Sequence, residues 1–477
     1  MLNSEFHNFI MSKKYQVVKG FRDILPPESK LFWLCEKLAR DTFARYGYEE
    51  ILLPVLESYE LFARSIGTET DIVEKEMFIV PDKKGQNLVL RPEATASVVR
   101  AYIEGLANKG SAKLFYYGPM FRYERPQKGR YRQFWQIGAE AIGFSGPGTD
   151  AELIIMLDQY FQELNVKEIE VHINSLGCKQ CRPAYRDALI KYLKENEAEL
   201  CQDCKRRLTL NPLRVLDCKN ESCKTITAKA PSPAGFLCPD CASHFSRLRF
   251  LLNQQKIQYQ IDDRLVRGLD YYTRTVFEFQ AKSGLGAQNA VVGGGRYDDL
   301  VEELGGNPTP AIGFALGMER LALLLEEKIA EKDLMAGLEL FLIFSGEMAY
   351  QFAFQLLFSL RRSGIYAEMV LDEPSRSLRG QLKVADKAKA KTAVIIGEDE
   401  LKNKMLNLKF LDTGKEMKLD FVSLQKMANI DWDELKSHLQ TPGFAFVGQD
   451  YEQSLARNRT LLKLFKIYLS QLEAEEK

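Results

Sequence analysis

The run Leu265-Val-Arg-Gly-Leu-Asp-Tyr-Tyr-Thr-Arg-Thr-Val-Phe-Glu278 sets a forked, permanently charged donor, Arg267, and two tyrosines ahead of a β-branched, aromatic segment. Arg267 suits a phosphate or a carboxylate, and Tyr271 and Tyr272 join apolar rings to hydroxyl handles. Arg122 ends a strand-like run in Met120-Phe-Arg-Tyr-Glu124. Arg320 falls in the first turn of a helix after Gly317, where exposed amides and the helix dipole favour anions. Beyond the basic loop Glu124 to Arg130, strand alternation puts Arg132, Phe134, Gln136, Gly138 and Glu140 on one face. A buried face bearing Arg, Gln and Glu costs stability unless those groups are paired or meet a ligand, so it reads as a site. Arg91-Pro-Glu-Ala-Thr95 adds an acceptor pair, Glu93 and Thr95, for an ammonium group.

Eight of the nine cysteines form pairs: Cys178 with Cys181, Cys201 with Cys204, Cys218 with Cys223, and Cys238 with Cys241. Two thiolates separated by two residues can reach one tetrahedral Zn²⁺, so four pairs suit two closed structural sites. Free thiols, an iron–sulfur cluster and redox disulfides are the alternatives. The spacing does not determine which pairs combine.

The elements that must position these groups follow from periodicity. Leu31, Leu34, Leu38 and Phe43 give a helix over Lys30 to Tyr46, ended by Gly47, before a strand-like Ile51-Leu-Leu-Pro-Val55. Lys113 to Tyr123 and Tyr131 to Phe144 read as a long antiparallel hairpin. Residues 174–245 break the strand pattern and read as a cysteine-rich insertion with one helix, Pro183 to Glu195. Val291 to Asp299 holds a glycine run, Gly293-Gly-Gly295, that reads as a bend or a close backbone approach. Ala311 to Arg320 then opens the apolar helix Leu321 to Ile329. From Leu338, strand and helix alternate, implying a small α/β domain with a mainly parallel sheet. Arg376, Arg379, Lys383, Lys387 and Lys389 cluster on or near its second helix, a solvated face or a phosphate-binding one. A packing helix, Leu455 to Leu472, closes the chain.

With 477 residues and 45% hydrophobic content, the chain can bury several cores. Lys plus Arg equals Asp plus Glu at 65 each, so any nucleic-acid contact must come from local basic patches. No apolar run approaches the roughly 18–20 residues of a membrane span, and the first residues lack a signal-like apolar core, so the cytoplasm is expected. Met11-Ser-Lys-Lys is a candidate start, leaving Met1 to Ile10 as an extension.

The Leu265–Glu278 run resembles the histidine-specific signature of histidyl-tRNA synthetases, and the Ile51–Val55, Arg122 and Arg320 blocks resemble the three class II motifs in the correct order. The resemblance runs from Gly20-Phe-Arg-Asp-Ile-Leu-Pro26 to about Phe421. It implies an α+β catalytic domain with a central antiparallel sheet (20–173 and 246–332), the insertion (174–245), a C-terminal α/β anticodon-binding domain (333–422), an N-terminal extension (1–19) and a helical tail (423–477). It implies a homodimeric ligase that uses ATP with Mg²⁺ to activate histidine and loads it on the histidine tRNA. Arg122 and Arg267 would grip the α-phosphate, with Gln136 beside them, and Arg320 the γ-phosphate. Glu93 and Thr95 would take the amino group of histidine, Gln136 its carboxylate, and Glu140 and Tyr272 its imidazole nitrogens, next to Tyr271. Arg125 and Gln127 would touch the tRNA acceptor end. Ala94 stands where many members carry glycine or another residue, and many relatives lack the full cysteine set. The alternatives are a non-catalytic paralogue that senses histidine or regulates its biosynthesis, and a metal-binding RNA module without catalysis.

Overall fold

The computed structural model describes residues 15–66, 72–269, 271–285, 289–326, 338–371, 376–420 and 460–471, apart from 462 and 469. The expected junction at 332/333, the first fourteen residues and 421–459 lie outside them. The chain divides into two compact units, Met1–Ile329 and Ala330–Lys477.

The first unit is built on strands β1 (Glu49–Glu50), β5 (Ala112–Phe121), β6 (Gln133–Ile142), β7 (Ile169–Ser175), β8 (Tyr259–Ile261), β9 (Thr273–Ala281), β10 (Ala290–Arg296) and β11 (Ala311–Gly317). They form one eight-stranded sheet in the order β1-β5-β6-β11-β10-β9-β7-β8. The six inner strands pair antiparallel, and the short edge strands β1 and β8 pair parallel to β5 and β7. A three-stranded sheet of β2 (Leu56–Ser58), β3 (Phe78–Pro81) and β4 (Asn87–Leu90) stands beside it in the chain.

Helix Glu28–Arg45 buries Leu31, Phe32, Cys35, Ala39, Thr42 and Phe43. Leu31 and Phe43 are buried as their spacing implies, but Leu34 is exposed and Leu38 half-buried, and Phe32, Cys35, Ala39 and Thr42 complete the buried stripe. Small side chains at Cys35 and Thr42 let the helix lie close to helix Pro147–Glu163, whose Tyr160 hydroxyl donates to the Cys35 carbonyl at 3.0 Å. Ile51–Val55 is not a strand. Pro54 lacks a ladder donor, and the carbonyls of Leu53 and Pro54 accept instead from Arg91 Nη1 at 3.0 and 3.3 Å, as the chain crosses from the large sheet to the small one. The Gly293-Gly-Gly295 run is strand interior rather than a bend.

The cysteine-rich stretch is more helical than its sequence suggests. Besides Arg182–Glu195 it contains Gln202–Leu210 and Glu221–Thr227, and it leads into Pro239–Gln254. That last helix is tied to the sheet unit by a buried chain of polar contacts. His244 Nε2 lies 2.8 Å from Asp150 Oδ2, and Arg296 Nε donates to Asp150 Oδ1 at 2.8 Å.

In the second unit, β12 (Leu340–Ser345), β13 (Ala367–Met369) and β14 (Thr392–Gly397) are parallel, while β15 (Leu406–Phe410) and β16 (Glu416–Leu419) continue antiparallel. Helices Glu347–Arg362 and Leu378–Lys387 supply the crossovers. Helical turns within 460–471 bury Leu461, Leu464, Phe465 and Tyr468 in the same core as Phe352 and Leu408. Among the described residues no helix is long and apolar enough to cross a membrane.

Candidate active site and cysteine centres

Antiparallel register decides what shares a face with Glu140. Glu140 pairs with Gly313, Gly138 with Ala315 and Gln136 with Gly317, while Gly293 pairs with Ala315 and Glu278, and Gly295 with Gly313. One face of four central strands is thus floored by glycines, with Glu140, Gln136 and Glu278 standing on it. The glycines are required by close approach. A Cβ on Gly313 would lie 1.6 Å from Glu140 Oε2, and one on Gly293 would lie 1.9 Å from Arg267 Nη2.

Glu140 is fully buried. Its Oε1 accepts from Thr95 Oγ1 at 2.7 Å and its Oε2 from the Tyr297 hydroxyl. Burial pushes its pKa up to about 8, although these two hydroxyls work against the shift. Glu93 caps helix Thr95–Gly105, accepting from the amides of Thr95 at 2.6 Å and Ala96 at 3.0 Å. A carboxylate has about four lone-pair sites, so that cap leaves capacity for another donor. Among the described residues, Gln136 Oε1 and the Tyr116 hydroxyl are buried and meet no hydrogen-bond partner. Such groups cost about 1–3 kcal/mol each until something pairs with them.

The cations come from four segments. Arg122 donates Nε to the Pro92 carbonyl at 2.9 Å and lies 5.3 Å from the centre of the Phe134 ring. Arg267 pairs with Glu278 and sits 5.8 Å from the Tyr272 ring centre. Burial opposes the Arg267 charge, but Glu278 prevails and its pKa is raised. Tyr271 packs against Tyr272 at 4.7 Å and against Tyr297 at 5.6 Å. Arg320, held by the Ala290 carbonyl, has its pKa lowered by burial and then by Arg130, Arg122 and Arg267 as like charges. Four arginines converge on one region, an arrangement that a polyphosphate would relieve.

The histidyl-tRNA synthetase family pattern matches residues 20–321, and that of an anticodon-binding domain matches 339–429. The histidine–tRNA ligase of Desulfosudis oleivorans is 51% identical over 408 residues, 85% of this chain and 95% of that one. The Geobacter sulfurreducens histidine–tRNA ligase is 49% identical over 415 residues, 87% of this chain and 99% of that one. The crystal structure of apo S. aureus histidyl-tRNA synthetase is similar with a TM-score of 0.71 at 37% identity, covering 87% of this chain and 99% of that one. The chain belongs to the histidyl-tRNA synthetase family. The fold expected from that resemblance, a class II catalytic sheet followed by an anticodon-binding unit, is the one observed, with parallel edge strands added to the antiparallel centre.

Of the residues singled out in sequence, Glu93, Thr95, Arg122, Gln136, Glu140, Arg267, Tyr271, Tyr272 and Arg320 surround this face or its margin. Arg125 and Gln127 are exposed on the hairpin loop, where the Gln127 and Arg130 backbones bond each other at 3.0 and 2.9 Å. Sequence reasoning passed over Tyr297, Tyr116, Glu278 and Arg130. Tyr116 carried a signal, since it stands opposite Gly138, whose added Cβ would meet its hydroxyl at 2.2 Å. Arg130 closes the loop that Arg122 opens and pairs with Glu124.

The cysteines resolve into two tetrads, Cys178/Cys181/Cys238/Cys241 and Cys201/Cys204/Cys218/Cys223, each with its sulfurs within 4.8 Å of one another. The Cys178–Cys181, Cys178–Cys238 and Cys181–Cys241 separations are all 3.8 Å, and Cys201–Cys218 is 3.9 Å. A tetrahedron with metal–sulfur bonds of about 2.3 Å has edges of about 3.8 Å. Burial pushes Cys178 up, but the amides of Gln180 and Cys181 outweigh it and bring the thiol down to about 7. Burial raises Cys204 and Cys241.

Proposed function

We infer that the protein is a working histidine–tRNA ligase, which joins histidine to ATP as histidyl-adenylate with release of pyrophosphate and then transfers histidine to the 3′ end of its tRNA. The observation that carries this is the meeting, on one glycine-floored face, of a buried carboxyl pocket with a cluster of fixed arginines. Attack of a carboxylate on the α-phosphate builds negative charge on one phosphorus. Arg122, braced by the Pro92 carbonyl and Phe134, and Arg267, braced by Glu278, supply preorganised positive charge for it. Arg320, with Arg130 nearby, suits the γ-phosphate end. Mg²⁺ would come with ATP and neutralise part of the polyphosphate charge.

Histidine would place its ring between Glu140 and Tyr272, with Tyr271 alongside, its amino group at Glu93 and Thr95, and its carboxylate toward Gln136 and Arg267. A pocket of buried hydrogen-bonding groups rejects analogues that lack the matching polar atoms by about 10⁴–10⁵. Arg125 and Gln127 on the exposed loop would contact the tRNA acceptor end, and the second unit its anticodon.

Each cysteine tetrad fits one Zn²⁺, and four thiolates leave no open position, so the metal would be structural. A second copy would cover Leu52, 82% exposed, and Ile79, 52% exposed, at the crossing between the sheets, giving a homodimer. The domain limits 20–173 with 246–332, 174–245, 333–422 and 423–477 belong to the same proposal, as does a cytoplasmic setting, where charged tRNA is consumed.

Charging assays with a panel of tRNA transcripts test the reading. Histidine should load on the histidine tRNA and on no other. Binding of histidine without any charging would instead mark a regulatory paralogue.

A further inference from the structure

The backbone on either side of the first cysteine tetrad ends on the segment that holds Tyr272. Arg182, the residue after Cys181, donates Nη2 to the Tyr272 carbonyl. Just before Cys178, the Leu176 amide donates to the Arg274 carbonyl at 2.7 Å and the Arg274 amide to the Gly177 carbonyl at 2.9 Å. Gly177 sits at φ +72, and a Cβ there would fall 2.5 Å from Cys181 Sγ. Only glycine suits this turn, which brings the chain onto the sulfur cluster. Arg274 itself is at φ 47, a region uncommon for non-glycine residues and one that surrounding contacts must hold. The other two ligands, Cys238 and Cys241, lie at the start of the helix anchored through His244 to Asp150. The tetrad therefore joins an anchored helix to the chain that grips residues 272–274.

The second tetrad is placed differently. Its ligands lie at or near the ends of Gln202–Leu210 and Glu221–Thr227, and its neighbourhood reaches the recognition segment through Arg214, four residues before Cys218, whose Nη1 donates to the Gly268 carbonyl at 3.1 Å. Among the described residues, none directly next to one of its cysteines bonds to 265–269 or 271–274.

We propose that the metal site formed by Cys178, Cys181, Cys238 and Cys241 braces the histidine pocket, with Arg182 as the positioning residue through which it acts. Occupancy fixes the Gly177 turn and the Arg182 side chain, and these hold the Tyr272–Arg274 backbone. Loss of metal there weakens histidine binding and leaves ATP binding nearly unchanged. The inference rests on the assignment of Tyr272 to histidine recognition.

The test uses purified full-length protein, zinc content by elemental mass spectrometry, and pyrophosphate exchange with histidine and ATP varied separately. Arg182→Ala should keep the wild-type zinc content and raise the KM for histidine about tenfold, the size of one charge-assisted hydrogen bond, with the ATP KM within about twofold. Cys178→Ser should lose one zinc of two and show the same split, whereas Cys201→Ser should lose one zinc without it. In the double variant Arg182→Ala/Cys178→Ser the effects should not add, because both act on one contact. An unchanged histidine KM in Arg182→Ala, or equal rises for histidine and ATP, overturns the brace. So does full additivity. Should Cys178→Ser fail to fold, Arg182→Ala decides alone. Wild-type protein free of zinc and unable to take it up overturns the metal as the origin of the brace. Tyr272→Phe reads the pocket assignment separately: if it leaves the histidine KM unchanged, that assignment falls, and if it raises the KM while Arg182→Ala does not, the brace falls.

Discussion

Gly293→Ala places a methyl group where the Arg267 guanidinium lies. The added carbon would be 1.9 Å from Nη2, 2.3 Å from Cζ and 2.4 Å from Nη1. A relaxed contact is about 3.5 Å, so the guanidinium must retreat by roughly 1.5 Å. It cannot do so and keep its pair with Glu278. A misplacement of about 1 Å costs on the order of 100-fold, and complete loss of one preorganised donor about 100- to 1000-fold. The expected fall in kcat/KM for histidine-dependent pyrophosphate exchange is therefore about 100- to 1000-fold. Overpacking costs about 1–3 kcal/mol, enough to lower the melting midpoint by a few degrees without unfolding the protein. Gly148→Ala is the control, because its added carbon meets nothing within 4 Å. If Gly293→Ala folds and exchanges within fivefold of wild type, Arg267 is not poised at the reacting phosphate.

Glu140 and the C-terminal helix give two further expectations. The folded pKa of Glu140, about 8, lies above that of a free carboxyl, so the folded state holds the proton more tightly. The penalty for burying its charge is absent below the unfolded pKa near 4.5 and grows as pH rises toward 8. Glu140→Gln should therefore gain stability relative to wild type across that window, by roughly 3–5 kcal/mol at its upper end, in denaturant titrations at several pH values; parallel curves for the two proteins would show that burial does not hold the proton. Phe465, 1% exposed in the core of the second unit, should cost about 3–5 kcal/mol when replaced by alanine, lowering that unit's unfolding midpoint while pyrophosphate exchange persists. An unchanged midpoint would mean that the helix does not contribute to the core.

Much of the site was legible because chemistry and strand period coincide there. Glu140, Gln136 and Arg122 follow from one hairpin with a period of two, and the hairpin is close to where its sequence put it: the first strand begins one residue earlier and ends two earlier, and the second is two residues shorter at each end. Tyr297 was passed over because its role depends on register between strands far apart in the chain. Nothing local in Gly293-Gly-Gly-Arg-Tyr297 says that Tyr297 will donate to Glu140, or that Gly293 stays bare because Arg267 crosses it. The cysteine pairing was open for the same reason: spacing within each pair is local, but joining Cys178 to Cys238 requires knowing where helix Pro239–Gln254 returns. The Ile51–Val55 segment misled because β-branched composition was outweighed by Pro54 and by Arg91, whose donors take carbonyls that a ladder would have used.

Pyrophosphate exchange by the purified protein, run against all twenty amino acids with wild type beside Arg267→Ala, bears most directly on the assignment of this face to histidine activation. Exchange with histidine alone, lost by about 100-fold or more in the variant, is expected. Exchange that is absent in folded, histidine-binding wild type, or that survives Arg267→Ala undiminished, would contradict it.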